Sequence, residues 1–384
     1  MRIVIAPDKF KGSLSAPQVA EAVATGLRDA LGPHSILSIE QVPAADGGEG
    51  TLDAAVAAGF SLLIATVTGP TGEPLEAPIA IRGSQAVIEM ALASGLAVLP
   101  NGTLDAGGAT SQGTGDLIRF ALDQGCTSIV LGVGGSASTD GGAGLLAGLG
   151  ARLLDDDGGD LPPGGAALGR LASIDLAGLD PRLSTASITL ASDVDNPLLG
   201  PTGAAAVFGP QKGATASDVQ NLDAALGRFV SVLATVSGPA INEAASAPGA
   251  GAAGGVGFAA LAVLNARRRP GIDVVLELTG LAEKLRDADL VITGEGSLDE
   301  QSLGGKTPMG VATAAAVANV RAIAVCGRTV LTPDQLSTAG FERTFALTDR
   351  EPDVELCIAN AATLLQEVGK EIAAYVGLTE QHAH

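Results

Sequence analysis

Histidine is nearly missing from this chain of 384 residues: there are three, and His382 and His384 stand in the last three positions. With only His34 in the body of the sequence, a Ser-His-Asp or Cys-His hydrolase, a histidine metal site and histidine acid–base chemistry are all poorly supplied. Aromatics make up 2%, with no Trp and one Tyr, so the core has to be built from Ala, Val, Leu and Ile. The 53 Gly let such elements approach closely. Cys126, Cys326 and Cys357 lie far apart without Cys-x-x-Cys spacing, which argues against a disulfide framework or a cysteine zinc site and fits a reducing, cytoplasmic setting. Basic residues are outnumbered 22 to 42, for a net charge of −20. Nucleic-acid binding needs Lys and Arg to neutralise phosphates, so that class is disfavoured. The one basic cluster, Arg267-Arg268-Arg269 before Pro270, reads as a solvated helix end.

Long apolar runs are also missing. "RIVIA" near the N-terminus is too short for a signal peptide and reads as a first strand. Residues 244–266 carry no charge and have the length of a membrane span, but they are rich in Gly and Ala. A glycine-rich loop running into a buried helix at about 255–266 is the better reading, and no membrane association is expected.

What is present is an α/β rhythm, in a chain long enough for two ordinary domains. After "RIVIA", the stretch "SAPQVAEAVATGLRDALG" places Val19, Val23, Leu27 and Leu31 on one helical stripe, with Ser15 and Gln18 spaced as a capping box and Pro17 suited to a first turn. From about residue 62 three strand-like runs separated by Gly/Pro turns read as an antiparallel meander. The last third returns to alternation, with strands "DLVIT", "RAIAVC" and "RTFAL" and helices near 308–318 and 353–374. Alternation at both ends around a different middle implies a discontinuous α/β domain, 1–68 with 272–384, into which a second α/β domain with a mixed sheet, 69–271, is inserted.

Five acidic, glycine-rich loops follow expected strands: "PDKFKGSLS" (7–15), "DGGEG" (46–50), "GGSASTDGG" (134–142), "SDVDNP" (192–197) and "GEGSLDEQ" (294–301). Ligands of parallel α/β folds bind beyond the carboxyl ends of strands. Each loop alone is also ordinary turn chemistry; together, in a chain poor in polar clusters, they point to a site. The glycines and hydroxyls of 134–142 suit an anion cradle. Asp193 with Asp195, and Glu295 with Asp299, suit a hard cation such as Mg²⁺ that takes one or two carboxylates together with substrate phosphates. Alternatively, residues 195–197 form a turn and only Asp193 faces inward. Lys9 and Lys11 follow the first strand, where a lysine can meet a carboxylate or phosphate; Lys9 alone reads better as a solvated loop residue, and Lys11, beside Gly12-Ser13, fits either reading equally. Gly305-Lys306-Thr307 looks like the end of a P-loop, but that pattern needs Gly where Glu300 stands; "GVGGSA" lacks the third Gly of a dinucleotide fingerprint, Ala137 standing there.

"APDKFKGSLSA", "ADGGEGT", "TGPTG", "SQGTGDLI", "GGSASTDGGAG", "SDVDNPLLG", "GAGAAGGVGF" and "TGEGSLDEQSLGGKTP", in this order from residue 4 to about 330, resemble the type I glycerate kinases of bacteria. The resemblance implies ATP-dependent phosphorylation of (R)-glycerate to 2-phosphoglycerate with release of ADP. It also implies two α/β domains, one Rossmann-like or flavodoxin-like and discontinuous, with the active site in the interdomain cleft. On that reading Gly134, Gly135, Ser136, Ser138, Asp140 and Gly141 are assigned to ATP phosphates, and Asp193 and Glu295 to Mg²⁺. Lys11 is assigned to the phosphoryl group or the glycerate carboxylate, and Asp8, Gly48, Glu49 and Lys306 to the substrate. Asp46 or Asp193 accepts the hydroxyl proton. Phosphorylation of the 3-hydroxyl, or of a related small hydroxy acid, and a non-catalytic sugar-acid binding protein are the alternatives. The partners expected are glycerate and ATP, with neither nucleic acid nor membrane, in a monomer or homodimer.

Overall fold

A computed structural model describes residues 1–31 and 37–378. His34, its turn, and His382 and His384 lie outside the described residues. Thirteen strands run through them: β1 (Arg2–Pro7), β2 (Ser38–Gln41), β3 (Ser61–Thr68), β4 (Pro74–Arg82), β5 (Gln85–Glu89), β6 (Ser128–Gly132) and β7 (Arg152–Leu154), then β8 (Ser173–Asp175), β9 (Ser187–Ala191), β10 (Arg267–Arg269), β11 (Leu290–Leu298), β12 (Arg321–Thr329) and β13 (Arg343–Ala346). The chain divides into two compact units, one of Met1–Asp46, Asp53–Gly59 and Ile272–His384, the other of Gly47–Leu52 and Phe60–Gly271.

The first unit holds a five-stranded parallel sheet in the order β13-β12-β11-β1-β2. Counting only this unit's strands, that is the 2-1-3-4-5 order of flavodoxin-like sheets, whose direction of winding reverses between β1 and β11. Both faces are covered, which explains the continuous apolar strands. Ile3 and Ile5 pack with Val19, Val23, Leu27, Leu365, Val368 and Ile372 on one face; Val4 and Ala6 pack with Leu281, Leu285, Val311 and Ala315 on the other. The helix Ala16–Asp29 begins as its sequence indicates, with the Ser15 N–H donating to Gln18 Oε1 at 2.9 Å and Pro17 in the first turn. Its partner is the helix Ala361–Tyr375. The two touch through backbone: a Cβ on Gly26 would lie 1.9 Å from the Gln366 carbonyl oxygen, so no larger residue fits there.

The second unit is built on a six-stranded mixed sheet, β10-β9-β6-β5-β4-β3, with a separate β7-β8 ribbon. The expected meander is present as antiparallel β3-β4-β5, and β6, β9 and β10 then add in parallel. Strand β3 pairs with β4 from Ser61↔Ile81 to Thr68↔Pro74 and so belongs with the second unit, although a boundary at residue 68 would leave it with the outer segments. One expectation is corrected. Arg267–Arg269 is not a helix end; it is the edge strand β10, in register with Thr189 to Ala191. Local charge suggests a solvated terminus, but an available sheet edge supplies ladder hydrogen bonds that a three-residue window cannot reveal.

The uncharged stretch does contain a buried helix, Ala252–Ala262, earlier than expected and opened by three residues with positive φ, Ala253, Gly254 and Gly255. Among the described residues no helix is long and apolar enough to cross a membrane. The core of this unit is aliphatic around one edge-to-face pair, Phe229 and Phe258, with ring centroids 5.7 Å apart.

Candidate active site

In the first unit β1 ends at Pro7, level with Gly294 at the reversal point, while β11 runs on to Leu298. Asp8 is the next residue of the chain and is buried. Its Oδ1 accepts the Lys9 backbone N–H at 2.7 Å, and its Oδ2 accepts the Thr307 hydroxyl at 2.6 Å. Burial pushes its carboxyl up to about 6; Asp46 adds to the rise, while Lys9 and the Thr307 hydroxyl oppose it. Glu295 lies in β11 itself. Burial raises its carboxyl above the usual range, opposed by Ser302 and Lys306 and reinforced by Asp8 and Asp299, and its Oε1 is buried without a hydrogen-bond partner.

Asp8, Asp46, Glu295 and Lys306 therefore form one electrostatic neighbourhood. Lys306 is half-buried and immediately precedes the helix Thr307–Ala318. Lys11 is exposed, with its backbone nitrogen 3.3 Å from where a Cβ on Gly296 would sit. Asp299 has a different task. Its Oδ1 accepts the N–H groups of Gln301 and Ser302 and caps the short helix Glu300–Leu303.

In the second unit, β6 runs into the loop 133–142. Asp140, fully enclosed within it, accepts from the Ser111 N–H (2.8 Å), the Ser111 hydroxyl (2.9 and 3.0 Å), the Gly142 N–H (3.0 Å) and the Gly144 N–H (3.2 Å). Burial raises this carboxyl despite those donors. With both oxygens accepting hydrogen bonds, Asp140 anchors the loop. Ser136, Ser138 and Thr139 are also buried, and Ser138 Oγ and Thr139 Oγ1 have no partner. Gly134 and Gly135 are more open.

Beneath the same loop lies Lys212, among the largest fully buried side chains of the protein. Its Nζ donates to Ser136 Oγ at 2.7 Å and to the Ser138 carbonyl at 2.5 Å. Burial lowers its ammonium to about 7, against the pull of Asp140.

The segment 47–52 meets the ends of the central strands of this sheet. A Cβ on Gly134 would lie 2.9 Å from Gly48 Cα, and one on Gly132 would lie 2.4 Å from the Gly47 carbonyl. Glu89, closing β5, is buried and accepts the N–H groups of Gly50 and Leu52 at 3.2 Å each, where the helix Thr51–Ala57 begins. Glu49 beside them is exposed. Beyond β9, Asp193 Oδ1 accepts the Gly271 N–H at 2.9 Å. Asp195 faces away into an ion pair with Arg268 at 2.7 Å, so of that pair only Asp193 stays with the strand ends.

The residues picked from sequence thus gather into two groups, Asp8, Lys11, Asp46, Glu295 and Lys306 in one unit and Gly48, Glu49, the 134–141 loop and Asp193 in the other. Lys212, Thr307, Ser111 and Glu89 were missed. "GPQKGAT" carried a signal, a lysine set between Pro-Gln and Gly in a chain short of basic residues, but it follows a short helix, and a search of strand ends passes over it. Chemically, the loop offers hydroxyls and backbone N–H groups to an anion, and the β1–β11 end offers carboxylates beside lysines.

The family model described as "Glycerate kinase family" matches residues 3–377. A glycerate kinase of Bacillus subtilis (strain 168) is 43% identical over 383 residues, 99% of each chain. The "Glycerate 2-kinase" of Escherichia coli (strain K12) is 46% identical over 330 residues, 85% of each chain. A crystal structure provisionally assigned as glycerate kinase 2 from Salmonella typhimurium LT2 superposes with a TM-score of 0.84 at 43% identity, covering 98% of each chain.

Proposed function

We infer that this chain, which belongs to the glycerate kinase family and is a kinase, transfers the γ-phosphoryl group of ATP to the 2-hydroxyl of (R)-glycerate, giving 2-phosphoglycerate and ADP. The choice of hydroxyl is carried by the Escherichia coli relative, whose name specifies a 2-kinase and which aligns over 85% of this chain. The nucleotide role is supported by the glycine-rich loop after β6, where Ser138 Oγ and Thr139 Oγ1 are buried donors without partners.

Phosphoryl transfer asks the protein mainly for in-line positioning and neutralisation of charge. Both substrates are anions and the chain carries −20, so local groups have to reverse its field. The 134–141 loop, through Gly134, Gly135, Ser136, Ser138 and Gly141, takes the ATP phosphates. Lys11 meets the phosphoryl group or the glycerate carboxylate, and Asp8, Gly48, Glu49 and Lys306 orient glycerate. Asp46 or Asp193 accepts the hydroxyl proton, worth roughly 10²-fold or more. The three free, buried cysteines support a cytoplasmic setting.

The donor set fits Mg²⁺. Glu295 Oε1 is a buried oxygen lacking a donor. Among the described residues no group of three His, Cys, Asp or Glu is arranged to hold a metal unaided, and Mg²⁺ commonly takes one or two carboxylates, waters and substrate phosphates. Glu295 and Asp193 would hold it, and it would supply neutralisation of phosphate charge.

A coupled assay for ADP with glycerate, ATP and Mg²⁺, followed by phosphorus NMR of the product, tests the reading. No ADP would sink it, and a 3-phosphoglycerate resonance would move the reaction to the other hydroxyl. Asp193→Asn is expected to lose turnover while keeping a native circular dichroism spectrum; near-normal turnover would remove Asp193 from both of its roles.

A further inference from the structure

We propose that Lys212 is a positioning residue for nucleotide phosphates: by donating to Ser136 Oγ and the Ser138 carbonyl, its ammonium turns the Ser136 hydroxyl proton outward and couples nucleotide binding to proton uptake. This rests on the reading of the 134–141 loop as the ATP-phosphate site.

A lysine ammonium donates and cannot accept. Held 2.7 Å from Nζ, Ser136 Oγ has to accept, and its own O–H is left to point elsewhere. When Lys212 loses a proton, the amine gains a lone pair, and the Ser136 hydroxyl can turn inward to fill it. The same serine is then an outward donor in one protonation state and an inward donor in the other. The second contact, at 2.5 Å to the Ser138 carbonyl, fixes the backbone that carries the two partnerless hydroxyls, Ser138 Oγ and Thr139 Oγ1.

Lys212 is 1% exposed, so it acts through the loop and does not itself touch solvent ligands. Space for Nζ exists because residue 254 is Gly: a Cβ there would lie 2.9 Å from Nζ and 2.0 Å from the Ser138 carbonyl oxygen. Asp140 is the charged group that acts on Lys212, and its oxygens are already taken by Ser111, Gly142 and Gly144. Its attraction is too weak to offset burial, and the ammonium sits near 7. An anion arriving at the loop adds the missing negative charge and draws the proton on.

The test is calorimetric titration of Mg²⁺-ATP into the full-length protein between pH 6 and 9, in two buffers of different ionisation enthalpy. The wild type is expected to take up a fraction of a proton per nucleotide bound at pH 7.5 and to bind progressively more weakly above pH 7. Lys212→Met, which keeps the volume and removes the charge, is expected to bind at least 10-fold more weakly at pH 6.5. Its proton uptake should fall below that of the wild type and its affinity should vary less with pH, while KM for glycerate stays within about two-fold. Ser136→Ala is expected to reproduce the loss of affinity, and the double variant to add little further.

Proton uptake and affinity in Lys212→Met equal to wild type would overturn the proposal. If Lys212→Met does not fold, Ser136→Ala decides: wild-type affinity in that variant overturns the proposal equally. A wild type that binds nucleotide but does not phosphorylate glycerate removes the substrate reading and leaves this one intact, whereas a wild type that binds no nucleotide removes both.

Discussion

Thr307→Val tests whether the carboxylate at the β1–β11 switch point is held as the structure describes. Thr307 is fully buried and donates to Asp8 Oδ2 at 2.6 Å; valine keeps its shape and removes the donor. A hydrogen bond to a charged group is worth about 1.5–3 kcal/mol, against about 0.5–1.5 kcal/mol for a neutral pair. The difference, about 1–1.5 kcal/mol, should appear only where Asp8 is ionised.

The sign follows from its pKa. The folded value, about 6, exceeds the ordinary 3.8, so the folded protein holds a proton that the unfolded chain releases. That contribution is full below 3.8 and is lost as pH rises through 6. Removing the donor raises the folded value further, by about one pH unit at ~1.4 kcal/mol per unit, and extends the loss above pH 6. Urea unfolding of the variant should therefore show a deficit of about 0.5–1.5 kcal/mol at pH 5 and about 1.5–3 kcal/mol at pH 8. Tyr375, the only tyrosine in a chain without tryptophan, lies in the same unit and reports its unfolding by fluorescence. Thr307→Ser should restore most of the loss at pH 8. A deficit equal at both pH values would refute the reasoning, because the hydroxyl would then be packing and not serving a charge.

Two further substitutions probe the other unit. Gly254→Ala places a Cβ 2.0 Å from a backbone oxygen at a residue with φ of +67°; left-handed strain of roughly 1–2 kcal/mol with that contact should lower the melting temperature by several degrees, and an unchanged melting temperature would mean the turn is free to relax. Asp140→Asn puts an amide where two N–H groups now meet a carboxylate oxygen. It should destabilise by about 2–3 kcal/mol and release the protected amides of Gly142 and Gly144 to hydrogen exchange; protection at the wild-type level would show that Asp140 does not anchor the loop.

Much of the first unit could be read from the sequence because its signals are local. "RIVIA" is uniformly apolar since a parallel strand is covered on both faces, and Ser15, Pro17 and Gln18 mark the helix start on their own. The meander was visible because Gly and Pro punctuate it. What failed was non-local. Arg267–Arg269 looks like a solvated terminus until β9 is known to lie beside it, and nothing within 61–68 tells which of two sheets will supply its partner. Gly26 carries no sign that Gln366 will come to rest against its backbone.

The site divides along the same line, and the division bears on mechanism. Strand-end position picked out Asp8, Glu295, Asp193 and the 134–141 loop; topology does place Asp8, Asp193 and that loop just beyond strands, whatever their side chains do, whereas Glu295 lies within β11. It could not say what each side chain does. Asp140 and Asp299 look like ligands in a sequence of acidic loops, yet both accept backbone N–H groups and hold loops in shape. Asp195 is spent on Arg268. Sorting carboxylates that hold from carboxylates that act requires a count of donors, and on that count Glu295, with a buried oxygen that nothing satisfies, is the one most in need of a partner. Lys212 is the reverse case. It stands in no strand-end loop, and only the folded chain brings its nitrogen beneath Ser136 and Ser138. A protein of net charge −20 that takes two anionic substrates needs positive charge where phosphates arrive. On the proposal made for Lys212, one such charge under the loop, gained on binding and lost on release, would give that field without a permanent cation at the surface.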